Sequence, residues 1–369
     1  MLEIKNPKLY INRAGALREC GALASDTAER VFITGGQRAL AAAGEALTES
    51  LRASGVAYEL MEYGGYPTWE ISDTVARKAA NFGAGALVAV GGGKIHDLTK
   101  AAGEISRLPV ISVPTIAATC AAWAALSVIY DGDGAYKGFL LLKNSPIAVI
   151  LDTEVLANAP TRYLNAGIAD SLAKWYEFES RFDSGSLFLK LQLKSAGMVR
   201  ALLENEGLRI ASEIEDGTAD MLTFGEILDA IIALAGICGS YTTGEPRGGF
   251  AHPFYDQLTK LPETRDKLHG EKVSFGLLVQ AILENRSRDS VNSLISVFSA
   301  LRQPLTLESL GIVENVREKI SRLSSDVAAH CANFRPSGPV PSAFDIESAI
   351  YAASDAAAAC HAAMSKQGA

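Results

Sequence analysis

The stretch "GALVAVGGGKIHDLTKAAGE", residues 85–104, decides how the first part of the chain folds. Its opening is a short apolar run that reads as a buried strand. Gly91, Gly92 and Gly93 follow at the carboxyl end of that strand, and a helix starts near Lys94. Glycines in that place let backbone N–H groups close on a phosphate, and the helix N-terminus adds a favourable dipole. Lys94 adds a full positive charge. The spacing is neither GxGxxG nor GxxxxGK[ST], so neither the usual dinucleotide fingerprint nor a Walker loop applies. A tight turn needing positive φ would use the same glycines. The strand–turn–helix setting favours a pyrophosphate site.

The same alternation extends to either side. "RVFITGG" (30–36) reads as a strand ending in glycine, and "QRALAAAGEALTESLRASG" (37–55) as a helix closed by Gly55. "VAYELMEYGG" (56–65) is a further strand, "WEISDTVARKAANFG" (69–83) a helix, and "LPVISVPT" (108–115) another strand. Strands alternating with helices predict a parallel sheet covered on both faces. After about residue 155 the periodicity becomes helical, in "AGIADSLAKWYEFES" (166–180), "SLFLKLQLKSAGMVRALLENEG" (186–207), "TFGEILDAIIALAGICGSY" (223–241) and "GEKVSFGLLVQAILEN" (270–285). Two domains are expected: residues 1–155, α/β and dinucleotide-binding, and residues 156–369, all-helical.

Composition narrows the function. The chain has 369 residues, 48% hydrophobic and 21% charged, with a net charge of −8. That length supports two domains with their own cores. With no basic run there is no phosphate-neutralising patch, so nucleic acid and anionic membrane are not expected as partners. The N-terminal sequence shows no signal peptide, and no uninterrupted apolar stretch is read as a membrane helix. The five scattered cysteines contain no CxxC pair, which fits reduced thiols in a cytoplasmic protein and argues against a cysteine zinc cluster.

Two of the five histidines, His252 and His269, fall within "GFAHPFYDQLTKLPETRDKLHG" (249–270). Spacing alone leaves them either members of one site or two unrelated, satisfied residues. His96 sits beside the glycine turn and reads as a helix-surface residue that could also touch a cofactor. His330 and His361 read as structural.

"GGGKIHDLTKAAG" (91–103), "VPTIAATCAAWAALSVIY" (113–130), "AGIADSLAKWYE" (166–177) and "HGEKVSFG" (269–276) together resemble the glycerol dehydrogenase branch of the iron-containing alcohol dehydrogenase family. The four blocks fall in order, and the match spans most of the chain, from about residue 30 to about 280. The resemblance implies a Rossmann-like nucleotide-binding α/β domain and an all-helical metal-binding domain, the dehydroquinate synthase-like architecture, with the active site in the cleft between them. It also implies association into homo-oligomers. The metal ligands it implies are Asp170, His252 and His269. The iron-dependent branch carries a further histidine four residues after the aspartate, where this chain has Lys174. A protonated amine cannot ligate, so three ligands remain, a set that suits catalytic zinc, with ferrous iron or another divalent ion as alternatives. Lys174 is left without a role and is free to point to solvent.

The cofactor contacts implied by the match are Gly92, Gly93, Lys94, Asp97, Thr115, Ala118, Leu126 and Tyr130. At the end of the first strand Gly35, Gly36 and Gln37 stand where NAD-selective relatives often place an aspartate for the ribose, and Gly36, Gln37 and Arg38 are the candidate cofactor contacts there. Without that carboxylate NADP is admitted beside NAD, and Arg38 could attract a 2′-phosphate or be merely solvated. At Cys120 the polyol-binding aspartate of glycerol dehydrogenases is missing. A thiol accepts hydrogen bonds weakly and does not repel an anion. "PTIAATCAAW" instead resembles the hydroxycarboxylate dehydrogenase subgroup. The sequence therefore favours a small 2-oxo acid/2-hydroxy acid pair, with Cys120, Asp170 and His252 beside the substrate, and glycerol to dihydroxyacetone as the alternative. A dehydroquinate synthase-like lyase or a catalytically inactive cofactor-binding relative are the readings from other classes.

Overall fold

The computed structural model describes residues 3–179, 187–242, 249–333 and 340–367. The chain divides into two compact units, Met1–Leu164 with Arg209–Thr242, and Asn165–Leu208 with Thr243–Ala369. Among the described residues ten strands belong to the first: β1 (Glu3–Ile4), β2 (Leu9–Arg13), β3 (Arg30–Gly35), β4 (Ala57–Glu62), β5 (Ala86–Gly91), β6 (Val110–Pro114), β7 (Leu126–Tyr130), β8 (Tyr136–Leu141), β9 (Ala148–Asp152) and β10 (Tyr241–Thr242). Six form one parallel sheet in the order β2-β9-β6-β5-β3-β4. β7 and β8 make an antiparallel ribbon, and β1 pairs with β10.

The central strands are apolar on both faces because helices cover both. α1 (Cys20–Ser25) and α2 (Gln37–Ala53) bury one face, where Val31, Ile33, Val88, Val90, Ile111 and Val113 meet Ala43, Leu47 and Leu51. α3 (Trp69–Phe82) and α4 (Gly93–Ser106) bury the other, where Phe32, Leu87 and Ala89 meet Val75, Ala79, Leu98 and Ala102. Successive residues of β3 and β5 thus serve opposite cores, as the two-residue period of a strand requires. Gly83 closes α3 with φ 74°, a left-handed cap that glycine adopts without a Cβ clash.

Beyond β9 come α5 (Thr153–Ala157), α6 (Thr161–Tyr176) and α7 (Leu187–Leu202), then α8 (Leu208–Asp216), α9 (Met221–Asp229) and α10 (Ala235–Ser240). Here the expected single cut at residue 155 gives way: residues 209–242 return to the α/β unit. Asp229 accepts hydrogen bonds from Tyr10 Oη at 2.6 Å and Asn12 Nδ2 at 2.7 Å, both on β2. Gly236 lies so close to Trp123 that a Cβ would sit 2.5 Å from the indole. Among the described residues this segment is also the one helix comparable in length and apolarity to a membrane span, although Glu226 and Asp229 interrupt it. Met221–Ser240 is 20 residues long and apolar enough to cross a bilayer. Half of it is buried inside the protein, including Phe224, Ile227, Leu228, Ile231 and Ile232, and its Asp229 is paired with β2. Those are the marks of a core helix.

The second unit contains α11 (Ala251–Leu258), α12 (His269–Leu283), α13 (Arg288–Ala300), α14 (Val316–Asn333) and α15 (Ala343–Gln367), together with α7 and most of α6. α12 is buried almost all round, from Gly270 to Ala281, and packs against α11, α13 and α15. A helix apolar on every side belongs at the centre of a bundle.

Candidate metal centre and nucleotide site

In the helical unit three side chains converge. Asp170 is on α6 and 2% exposed, His252 is the second residue of α11, and His269 opens α12. Both imidazoles direct Nε2 at the same carboxylate oxygen: Asp170 Oδ1 is 3.1 Å from His269 Nε2 and 3.4 Å from His252 Nε2. All three donor atoms lie within 4.8 Å of one another. Ligand atoms bound tetrahedrally at about 2.0–2.1 Å stand about 3.3 Å apart. The spacing in the protein therefore fits one divalent ion, and one carboxylate with two imidazoles is a donor set suited to zinc or ferrous iron.

The approach of the ligands rests on Gly270. A Cβ there would lie 1.9 Å from the carbonyl oxygen of Ala166, one helical turn before Asp170 on α6. The two helix backbones touch, and His269 is brought onto Asp170 by that contact. The Glu271 carboxylate accepts from Leu268 N at 2.7 Å and fixes the start of the helix. Tyr255 packs edge-on to the His269 ring at 4.2 Å between centroids.

Glu177 was not anticipated from sequence. It is 5% exposed, accepts from His252 N at 3.0 Å, and lies 2.6 Å from His252 Nδ1. The proton on Nδ1 donates to Glu177, which leaves Nε2 as the nitrogen facing the shared site, where a bound ion would take the place of its proton. Gly249 leaves room for this carboxylate, since a Cβ would sit 2.4 Å from Glu177 Oε1. The signal was the spacing: Asp170, Lys174 and Glu177 are at i, i+4 and i+7, on one face of the helix and the turn that continues it.

Lys174 does not point to solvent. Its Nζ is 3.5 Å from both Asp170 Oδ1 and His252 Nε2, with 17% of the side chain exposed. It stands beside the site where the iron branch has its extra histidine. Burial by itself would raise the pKa of Asp170, yet Lys174, His269 and His252 together hold it well below the ordinary carboxylate range. For His252 burial, the largest single influence, favours the neutral ring, but the Glu177 and Asp170 carboxylates together outweigh it and raise the pKa to about 9. Glu177 itself is desolvated, which would raise its pKa, and is pulled below its usual value chiefly by His252.

In the α/β unit Gly36, Gln37, Gly92, Gly93 and Thr115 lie at the carboxyl ends of β3, β5 and β6, whereas Asp97 is within α4 and Leu126 and Tyr130 belong to the β7–β8 ribbon. Gly36 N donates to Val90 O at 3.2 Å, and Thr115 N to Gly91 O at 3.1 Å, so the ends of β3, β5 and β6 lie side by side. Gly36 and Gly92 are the N-caps of α2 and α4, and no side chain caps either helix. Two helix starts without side-chain caps at neighbouring strand ends leave N–H groups that could receive an anion. A Cβ on Gly92 would meet Ile116 at 2.6 Å, and one on Gly93 would meet Thr119 Oγ1 at 3.2 Å, so the 115–125 segment lies against the turn. Gln37 and Arg38 are exposed in the first turn of α2, while Ala118 and Cys120 are half-buried. Lys94 sits 3.6 Å over the ring of Tyr66, which also neighbours Tyr130, and burial lowers its pKa. Asp97 is turned toward Lys100, 3.1 Å from its Nζ.

His96 is not a surface residue. It is 1% exposed, its Nε2 is 3.0 Å from Gly91 O, and its pKa falls to about 3, mainly through burial and then through Lys100. It supports the glycine turn from within. His330 pairs with Asp256 at 3.0 Å and His361 with Ser299 Oγ at 2.8 Å, both within the helical unit.

Residues 7–153 match the family model described as iron-containing alcohol dehydrogenase. A glycerol dehydrogenase of Escherichia coli is 31% identical over 351 residues, covering 92% of this chain and 93% of that protein. The hydroxycarboxylate dehydrogenase A of Escherichia coli is 35% identical over 240 residues, covering 64% of this chain and 66% of its own. Among solved structures, a probable glycerol dehydrogenase from Sinorhizobium meliloti superposes with a TM-score of 0.83 at 26% identity, covering 96% of this chain and 98% of that one.

Proposed function

Given that the chain belongs to the iron-containing alcohol dehydrogenase family, in its glycerol dehydrogenase branch, we propose that it is a metal-dependent, NAD(P)-linked dehydrogenase whose substrate is a small vicinal polyol such as glycerol. The observation that carries the metal-dependent reading is the convergence of Asp170, His252 and His269 at 3.1 and 3.4 Å. The comparisons support glycerol to dihydroxyacetone over the 2-hydroxy acid favoured from sequence, because the relative aligned along nine-tenths of the chain is a glycerol dehydrogenase. The 2-hydroxy acid remains the second reading, and Cys120 carries it: a thiol there accepts polyol hydrogen bonds weakly and leaves an acid unrepelled.

A bound divalent ion would supply Lewis acidity toward the substrate hydroxyl, whose proton would pass to solvent, and a bound nicotinamide would supply the acceptor for the hydride of the carbinol carbon. The residues of the chain prepare for this. Asp170 Oδ1 and the two Nε2 atoms would hold the ion, with one carboxylate against two neutral imidazoles. Glu177 keeps the His252 proton on Nδ1 and orients the ring. At the strand ends, the uncapped N-termini of α2 and α4 would receive the cofactor phosphates. Arg38, exposed in the first turn of α2, would admit NADP as well as NAD.

The test is a steady-state screen of glycerol and small 2-hydroxy acids with NAD and NADP, read at the nicotinamide absorbance band, before and after chelation and zinc return. Glycerol oxidation that disappears on chelation and returns with metal is the expected result. Turnover indifferent to chelation would overturn the metal role. A higher kcat/KM for a 2-hydroxy acid than for glycerol would replace the main reading with the second.

A further inference from the structure

One buried cation in the α/β unit is used by nothing described so far. Lys100 lies on α4, and its side chain is 1% exposed. Its Nζ donates to Ala121 O at 2.7 Å, to Ala124 O at 3.1 Å and to Leu126 O, and stands 3.1 Å from Asp97 Oδ1. An ammonium has three protons, and three backbone carbonyls take them. All three carbonyls belong to the segment that runs from β6 to β7 and carries Thr115, Ala118, Cys120 and Leu126.

That convergence has an electrostatic cost and a purpose. Three carbonyl dipoles and a carboxylate aimed at one point repel one another, and each would be an unmet acceptor in a buried place. The cation is what makes the arrangement possible. On its other side the same segment abuts the glycine turn, through Ile116 at Gly92 and through Thr119 and Ala121 at Gly93. Ala121 is therefore tied to Lys100 by its carbonyl and set against Gly93 by its methyl. The i, i+3 spacing of Asp97 and Lys100 places the anchor on the very helix whose N-terminus follows the glycine turn.

We propose that Lys100 is a positioning residue for the cofactor. From inside α4 it pins the Ala121–Leu126 backbone so that this segment and the Gly92–Gly93 turn keep the spacing that a dinucleotide requires. The inference rests on the reading of these strand ends as the nucleotide site. Lys100 does not reach the cofactor itself, so its loss acts through the segment it holds. The metal ligands all lie in the helical unit, and their donor set is complete without it.

The experiment compares wild type with Lys100→Met, which keeps the length and removes the charge, and Lys100→Gln, which restores two N–H donors. Cofactor Kd is measured by fluorescence titration with NADH and NADPH, bound zinc by metal analysis, and folding by circular dichroism. Lys100→Met is expected to raise the cofactor Kd at least tenfold with zinc content unchanged, and Lys100→Gln to recover part of that loss. Met and Gln variants with wild-type Kd would overturn the proposal. So would equal loss of zinc and cofactor in both variants, since that marks general unfolding rather than positioning. If Lys100→Met does not fold, the Gln variant decides alone: it must fold, keep zinc and bind cofactor more weakly than wild type. Wild type that binds neither nucleotide would refute the nucleotide site itself, a failure separate from that of Lys100.

Discussion

Replacing Gly270 by alanine separates two opposite expectations. By helix propensity alone the change should stabilise, by at most the ~1 kcal/mol that favours alanine over glycine inside a helix, since Gly270 is in the first turn of α12. The packing predicts the reverse. The added methyl would lie 1.9 Å from Ala166 O, and ordinary contact begins at 3.4 Å. The start of α12 must therefore retreat from α6 by about 1.5 Å. His269 is at the end that moves, and its 3.1 Å separation from Asp170 Oδ1 opens beyond 4 Å, too wide for an ion bound at about 2.0–2.1 Å. Overpacking of this kind costs about 1–3 kcal/mol. Displacing a ligand should weaken zinc binding by at least the ~10–100-fold seen when a supporting residue is lost. Competition against a chromophoric chelator gives the metal Kd, and urea unfolding gives the stability. A Gly270→Ala protein that is more stable than wild type and binds zinc equally well would refute the argument that this glycine sets the ligand geometry.

Two other expectations follow from buried groups. Glu177→Gln should preserve the fold while weakening zinc binding ~10–100-fold, because the amide no longer fixes the His252 proton on Nδ1; unchanged metal affinity would remove Glu177 from the site. His96 gives a pH signature. Its pKa is near 3 when folded against 6.5 for the free side chain, so its contribution is complete above pH 6.5. Below that the unfolded chain takes up a proton that the folded chain refuses, and stability falls by about 1.4 kcal/mol per pH unit until about pH 3. Between pH 7 and 5 wild type should therefore lose about 2 kcal/mol more than His96→Gln, which has nothing to titrate there. Parallel urea midpoints for the two proteins across that range would contradict it.

The sheet was legible where strands are bounded by glycines or proline. "RVFITGG" and "ALVAVGGG" announce themselves because a buried parallel strand is a continuous apolar run ended by a turn. β2, with sequence LYINR, was missed: it is an edge strand with no fully buried residue, and its polar groups serve Asp229 rather than a hydrophobic face. The return of residues 209–242 to the α/β unit could not be read at all, because an apolar helix looks the same whichever core it fills. In the candidate site, His252 and His269 stood out by rarity, but only the resemblance suggested that they share an ion. Glu177 was within reach at two turns from Asp170. Lys174 was misjudged because a lysine on a helix is usually solvated, and nothing local shows that its neighbours are a buried carboxylate and an imidazole. His96 was misjudged for the same reason, since α4 buries the face on which it lies.

The interleaving of the chain has a consequence for biosynthesis. Tyr10 and Asn12 find their partner Asp229 more than two hundred residues later. A ribosome-bound fragment ending at Leu164 has made every strand of the six-stranded sheet but leaves its β2 border uncovered until residue 242 has emerged. Asp170 is made long before His252 and His269, so the three donors are not together until residue 269 has been made. A nascent chain stalled between those points exposes apolar surface of the kind that invites chaperones.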